Sequence, residues 1–351
     1  MTFQPPAPVP EKPVDRSAAA LARVTAEHED AWEDADRALA YLAEDPRQGG
    51  LDLPWTVLRT IVGPLRQHYL VLLGADTGNG KTSVVMHLLH EWQRAGKRVY
   101  VVSLEIDPYL LRLYWACLHV GVDPRPVIQE GERGIPAGRV EDVKAHVTWQ
   151  ALSHDAQRRV QFSTWRRLAM GDLRAMMFDA KSRGADVILL DHLHEIDIDG
   201  PEARGNSYDR WVLCCRMLKE LIREYQVPVV AAAQFHRDKG FDRLAAYLPP
   251  RETAFQGGHK LLQVADIAIG LYRPLTTLIT KGEMVKLRSG LLNVRDYISK
   301  GIIGCNILKH RYADQRGQIC QLTYVNGHIS EQVNHVVAEG GAELGHAPAL
   351  G

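Results

Sequence analysis

From about residue 52 onward, short apolar runs alternate with longer stretches of helical spacing. Apolar runs bounded by Gly, Pro or Asp read as buried strands, and apolar residues spaced three and four apart read as helices. The strand candidates are Tyr69–Leu73, Arg98–Glu105, Val160–Ser163, Ala185–Asp191, Val227–Gln234, Asp266–Tyr272, Ile302–Leu308 and Gln318–Val325. Between them, Ser83–Leu89, residues 108–119, residues 139–158, Asp172–Arg183 and Tyr208–Tyr225 carry helical spacing, and Gly96 stands where the first of these helices should be capped. This alternation predicts an α/β domain with a mostly parallel twisted sheet flanked by helices. No internal repeat is visible.

Ahead of that domain the pattern changes. Residues 1–16, MTFQPPAPVPEKPVDR, are rich in Pro and read as a disordered tail. Ser17 caps a predicted helix reaching Glu44, which Asp45-Pro46 stops. Leu21, Val24, Ala31, Ala35, Ala38 and Leu42 line one narrow stripe of an otherwise acidic helix. Such a stripe needs a partner groove. A groove on the same domain and one on a neighbouring subunit are equally open at this point. The expected organisation is a tail over 1–16, an acidic amphipathic helix and linker over 17–50, the α/β domain over 51–330 and a flexible tail over 331–351.

Composition narrows this picture only a little. The chain of 351 residues is 46% hydrophobic and 24% charged, which fits a soluble globular protein with a sizeable core. Lys+Arg 42 balances Asp+Glu 42, so any nucleic-acid site must be a local patch rather than a global field. The five cysteines show no C-x-x-C spacing, which argues against a zinc site or a disulfide framework. No signal peptide or membrane-length apolar run is present, and the cytoplasm is the default location with no membrane partner.

The candidate chemistry starts at Tyr69–Thr82, YLVLLGADTGNGKT, an apolar run, a Gly-rich turn and then a helix. That is the context of a phosphate-binding P-loop. Ala75, Gly78, Asn79, Gly80, Lys81, Thr82 and Ser83 would surround the phosphates of ATP, with backbone N–H groups at the helix N-terminus facing them. Lys81 would reach the β- and γ-phosphates, and Thr82 would place its hydroxyl on Mg²⁺. Ala75 occupies a position where the usual pattern has Gly, but a small residue still lets the chain turn.

In open α/β sheets, ligands bind beyond the carboxyl ends of the strands. Three further runs place a polar residue there: Glu105, Asp191 and Gln234. Asp191 follows four apolar residues and would hold the Mg²⁺ shell with Thr82. Glu105 has the chemistry to orient an attacking water or take its proton, and Gln234 to sense the γ-phosphate without adding charge.

The order P-loop, Glu, Asp, Gln and the residues around it resemble the RecA-like motor domain of DnaB-type replicative helicases. The likeness covers roughly residues 50–330 and rests on ADTGNGKT, Ser103-Leu104-Glu105, VILLDHLHEI, VPVVAAAQFHR, QVADIAIGLYR and IIGCNILKHRYADQRGQICQLTY. The P-loop beginning with Ala is a form common in that family, so Ala75 supports the likeness. By this resemblance Arg311 is an arginine finger and Lys309 its companion, both reaching a neighbour's nucleotide. A guanidinium supplied across an interface is worth ~10³–10⁵ in rate, which would tie hydrolysis to assembly. The resemblance also implies a ring-forming homo-oligomer, a hexamer, moving 5′ to 3′ on single-stranded DNA and unwinding duplex.

It implies a linker helix docked on the adjacent subunit as well, which favours that role for residues 17–44. A primase-binding helical domain has no counterpart in these residues. That sets an expectation of a phage, plasmid or mobile-element helicase, with a primase or loader as a possible partner. Residues 274–300 match no recognised segment. DNA contact is expected after Asp191 and after Gln234, where Arg237, Lys239, Arg243, Arg251 and Lys260 offer groups suited to backbone phosphates. Two other readings share the fold: a recombinase-like DNA-binding filament, and a KaiC-like ATP-gated assembly switch without nucleic acid.

Overall fold

The apolar runs become the strands of one sheet. The computed structural model describes residues 35–36, 39, 50–163, 165, 167–197, 207–235, 247–255, 258–275, 280, 283–284, 286, 293, 296, 298–325 and 327–331. Two units are distinguished, residues 1–49 and 50–351. In the first, Ala35, Asp36 and Leu39 are helical and exposed. The rest of the expected 17–44 helix, the 1–16 tail, the expected 331–351 tail beyond Glu331 and most of 274–300 lie outside the described residues.

Among the described residues of the second unit, nine strands pair in the order β3-β2-β4-β5-β1-β6-β7-β8-β9. They are β1 (Leu70–Ala75), β2 (Val99–Ser103), β3 (Val160–Phe162), β4 (Val187–Asp191), β5 (Val229–Gln234), β6 (Ile267–Tyr272), β7 (Ile302–His310), β8 (Ile319–Val325) and β9 (His328–Glu331). From β3 to β6 all pairings are parallel, and β7 to β9 extend the sheet antiparallel. The described helices are α1 (Thr56–Val62), α2 (Lys81–Arg94), α3 (Pro108–His119), α4 (Pro124–Glu130), α5 (Val140–Leu152), α6 (His154–Arg159), α7 (Leu173–Ser182), α8 (Ser207–Tyr225) and α9 (Gly258–Val264). This is the α/β arrangement, with a mostly parallel sheet flanked by helices, that the alternation predicts. Among the described residues, no helix is long and apolar enough to cross a membrane.

Strand alternation builds a core on each face of the sheet. Val71, Leu73 and Ala75 of β1 join a cluster with Val84, Leu88 and Trp92 of α2 and Trp115 of α3. Leu70 and Leu72 face the other way, with Met176 and Met177 of α7, Leu218 and Ile222 of α8, and Leu261 of α9. Truncating a fully buried leucine such as Leu72 to Ala costs about 2–5 kcal/mol.

Three local features correct or sharpen the sequence expectations. Gly96 follows α2 with φ 78°, and its N–H donates to Gln93 O (3.0 Å) while that of Lys97 donates to Trp92 O (2.9 Å). These two bonds satisfy the last carbonyls of the helix, as a glycine in the left-handed region allows. The helix expected over 139–158 is instead two, because Ser153 is extended and its hydroxyl caps α6 by accepting from the Ala156 N–H at 3.2 Å. The strand expected to end at Glu105 stops at Ser103. The Ser103 hydroxyl donates to Ile106 O (2.8 Å) and accepts from Ile106 N–H (3.1 Å), closing a turn that carries Glu105.

At the end of β1, a Cβ on Gly74 would overlap the rings of Phe235 and Phe255. Those two residues form an antiparallel bridge, with ring centroids 5.0 Å apart and edge to face. At the opposite end of the sheet, fully buried Asp266 accepts from the Leu70 N–H (2.8 Å), the Lys219 ammonium and the Tyr312 hydroxyl (3.4 Å).

Candidate active site

The loop after β1 turns twice through the left-handed region, at Gly78 (φ 83°) and Gly80 (φ 89°), where a side chain would be strained. α2 then starts at Lys81, so its unpaired N–H groups open onto the loop. The Lys81 ammonium donates to Ala75 O at 2.9 Å and Asp76 O at 3.3 Å. Burial holds it below the ordinary lysine range, against the pull of Asp191, Glu105 and Asp76. Asn79 is buried, its N–H donating to Asp76 O at 3.2 Å. Ser83 accepts from the Tyr114 hydroxyl at 3.0 Å, which fixes the first turn of α2 against α3.

Register brings the polar strand ends to this loop. β2 and β4 pair Ser103 with Asp191, and β1 and β5 pair Ala75 with Gln234. The Thr82 hydroxyl donates to Asp191 Oδ2 at 3.0 Å. Asp191 is 2% exposed, and burial raises its carboxyl above the usual range, against the Thr82 hydrogen bond and the His192 charge. Its Oδ1 has no hydrogen-bond partner among the described residues. A hydroxyl beside a buried carboxylate with a spare lone pair fits the hard, oxygen-rich shell of Mg²⁺, so these residues suit that ion.

Gln234 donates from Nε2 to the Thr77 hydroxyl at 2.9 Å and from its backbone N–H to His194 Nδ1 at 3.1 Å. A cleft of ≈ 350 Å³ lies among these groups, lined by Lys81, Thr82, Glu105, His192, Glu195 and Gln234 with the glycines of the loop. The structure therefore brings the P-loop residues, Glu105, Asp191 and Gln234 together. Thr77, His192, His194 and Glu195 are additional members that sequence reasoning missed. The two histidines flanking Leu193 directly after Asp191 were the available signal for them.

Lys309 and Arg311 stand elsewhere. Lys309 donates to Leu262 O (2.6 Å) and Gln263 O (2.9 Å), and Arg311 to Gln263 O (2.8 Å) and Val264 O (3.1 Å). Both thereby satisfy the last carbonyls of α9, and Arg311 Nε lies 3.4 Å from Asp266. Burial, then the Arg311 charge, pushes the Lys309 ammonium down to about 8.

The β-register fixes how far this is from the chain's own P-loop. Leu271 of β6 pairs with Ala75, whereas the Arg311 N–H donates to Asp266 O. Five residues of strand, at ~3.3 Å each, separate the two levels by roughly 16 Å. That gap exceeds the reach of an arginine side chain, so Arg311 cannot serve the P-loop of its own chain.

Of the expected DNA-contact residues, Arg251 and Lys260 are exposed, whereas Arg237, Lys239 and Arg243 lie outside the described residues. Arg251 lines a second cleft of ≈ 730 Å³ with Pro250, Asn306, Asp314 and Arg316.

Comparison with known proteins follows the same lines. The family described as DnaB-like helicase C terminal domain matches residues 50–324. Two curated relatives are "Replicative DNA helicase DnaB" of Helicobacter pylori strains ATCC 700392 / 26695 and J99 / ATCC 700824. The first is 23% identical over 246 residues, 68% of this chain and 48% of its own length. The second is 24% identical over 240 residues, 66% of this chain and 46% of its own length. The chain thus spans about half the length of the curated relatives it matches.

Among solved structures, one described as an ATPase domain aligns over 91% of this chain and 99% of its own, with TM-score 0.62 and 18% identity. "The Structure Of A DnaB-Like Replicative Helicase And Its Interactions With Primase" aligns over 90% of this chain and 75% of its own, with TM-score 0.63 and 17% identity. At these identities the structural likeness speaks for the fold, while the match across residues 50–324 covers most of the sequence. On that match, the chain belongs to the DnaB-like helicase C-terminal domain family.

Proposed function

We propose that this chain is an ATP-hydrolysing motor that assembles into a ring, translocates on single-stranded DNA and unwinds the duplex ahead of it. The observation that carries the reading is the convergence of Lys81, Thr82, Asp191, Glu105 and Gln234 on one cleft at the sheet's carboxyl edge. In this reading Lys81 exchanges its two loop carbonyls for phosphate oxygens of ATP. Thr82 and Asp191 would hold Mg²⁺, which neutralises charge on the phosphates. Glu105 orients the attacking water and accepts its proton. Gln234, tied to Thr77 in the P-loop, registers the state of the phosphates and passes it to the segment that follows β5.

Arg311 and Lys309 act on the nucleotide of a neighbouring subunit, because the register keeps Arg311 from its own. A hexamer, 5′ to 3′ movement, and a primase or loader as partner are the further parts that family resemblance adds. The segment after β5, with Arg251 and Lys260, is the proposed path of the strand.

The test is DNA-stimulated ATP hydrolysis measured beside strand separation on a forked duplex, with the Lys81→Ala variant as control. Both activities in the parent and neither in the variant are expected. Hydrolysis stimulated by DNA without strand separation would point to a recombinase-like filament. Hydrolysis indifferent to DNA would point to an assembly switch.

A further inference from the structure

Asp191 and His192 leave two buried ligand atoms unused. Asp191 spends Oδ2 on Thr82, and its Oδ1 has no hydrogen-bond partner among the described residues. The next side chain, His192, is 7% exposed. Among the described residues its buried Nδ1 likewise has no hydrogen bond, although Glu105 Oε2 stands 3.2 Å away. Leaving such a buried group unsatisfied is costly, and a ligand would relieve it.

One ligand atom from each of Glu105, Asp191 and His192 falls within 4.8 Å of the others. Around a single ion with bonds of about 2.1 Å, donors lie about 3 Å apart when adjacent and about 4 Å when opposed. Glu105 is 54% exposed in its side chain and can supply the small closing movement. On the far side of the imidazole, Glu195 Oε1 lies 3.7 Å from Nε2. A carboxylate behind a histidine is the arrangement that turns the other ring nitrogen toward a metal.

We propose that Glu105, Asp191 and His192 form a transition-metal site, which takes Mn²⁺, Co²⁺ or Zn²⁺ in the nucleotide-free protein. It shares Asp191 with the proposed Mg²⁺ seat at Thr82 but differs in its donors. Two carboxylates and an imidazole suit these ions, whereas Mg²⁺ favours an all-oxygen shell. An ion here ties down Glu105, so its occupancy opposes hydrolysis. That effect rests on the ATPase reading above; the binding site itself stands on the three side chains alone.

The test uses the full chain without nucleotide, with Co²⁺ as the probe, followed by its visible absorption and by calorimetry. The expected result is one saturable Co²⁺ per chain in the presence of excess Mg²⁺. Affinity should fall at least tenfold in His192→Phe and in Glu105→Gln. It should hold or rise in Lys81→Ala, which removes a cation whose charge acts on Asp191 and Glu105. His192→Gln, of similar polarity, serves if the Phe variant fails to fold.

Co²⁺ affinity indifferent to either His192 or Glu105, or no saturable absorption, overturns the inference. Normal ATP turnover in Lys81→Ala alongside His192-dependent Co²⁺ binding would sink only the ATPase reading. A dead Lys81→Ala with His192-indifferent binding would sink only the metal site.

Discussion

Asp266→Asn isolates the buried ionic cluster at the base of the sheet. Asp266 is 0% exposed, and Lys219, its partner from α8, is 7% exposed in its side chain. Replacing the carboxylate with an amide leaves the Lys219 ammonium buried beside a neutral group and weakens the hold on Arg311. Breaking a buried pair by removing one partner costs about 3–5 kcal/mol. The lower end applies here, because Lys219 keeps His68 O as acceptor and Arg311 keeps the carbonyls of α9. The expected loss is therefore about 3 kcal/mol, a large share of the ~5–15 kcal/mol typical of a domain.

Urea denaturation at neutral pH, with the m-value unchanged, measures it. Burial already lowers the Lys219 pKa in the parent, so in the variant the penalty should shrink as pH rises toward the ordinary lysine range and the amine sheds its proton. The double variant Lys219→Met, Asp266→Asn removes both charges, keeps an amide oxygen for the Leu70 N–H, and should recover most of the loss. A loss under about 1 kcal/mol in Asp266→Asn, or no recovery in the double variant, would refute this account of the cluster.

Glu105→Gln should bind nucleotide like the parent, read by fluorescent-nucleotide titration, while ATP turnover falls at least tenfold, because an amide cannot accept the water's proton. Arg311→Ala and Lys81→Ala, each inactive alone, should recover some hydrolysis when mixed, at interfaces where an intact P-loop meets an intact finger. Full activity of Arg311→Ala by itself would end the finger assignment. Burial lowers His87 to about 4, His90 to about 3 and His146 to about 4. Between about pH 6.5 and 4 the unfolded chain then binds protons the folded chain refuses, so stability falls with pH by up to about 1.4 kcal/mol per unit for each histidine. Melting temperature followed from pH 7 to pH 5 should drop, and less so in His90→Leu.

The strands of the parallel sheet were legible because each is a bounded apolar run. β4 reads VILLD and ends on its functional carboxylate, just as the periodicity implies. Short elements were not legible. α4 begins at Pro124 after its cap Asp123, a pair equally at home in a turn, and the Asp123 carboxylate accepting from the Arg125 N–H at 3.0 Å is what distinguishes it. β9 has four residues and gains its place by pairing with β8 and by the Ile329 N–H reaching His87, contacts between distant positions. Glu105 and Gln234 were visible as polar residues ending apolar runs. His192 and Glu195 were not, since their meaning lies in how tightly the turn after β4 brings them to Glu105. The anchoring of Arg311 on α9 was equally hidden, because α9 contributes backbone carbonyls that carry no sequence signature.

The Phe235–Phe255 bridge over Gly74 has a mechanical consequence. The polypeptide that leaves β5 after Phe235 returns at Phe255, and both ends are clamped on the residue before Ala75. The Phe235 N–H is also anchored to Ala75 O at 3.1 Å. The excursion therefore has no slack at its root. A shift of either ring therefore acts directly on the strand that leads into the P-loop, because Phe235 and Phe255 press on Gly74 and the Phe235 N–H holds Ala75 O.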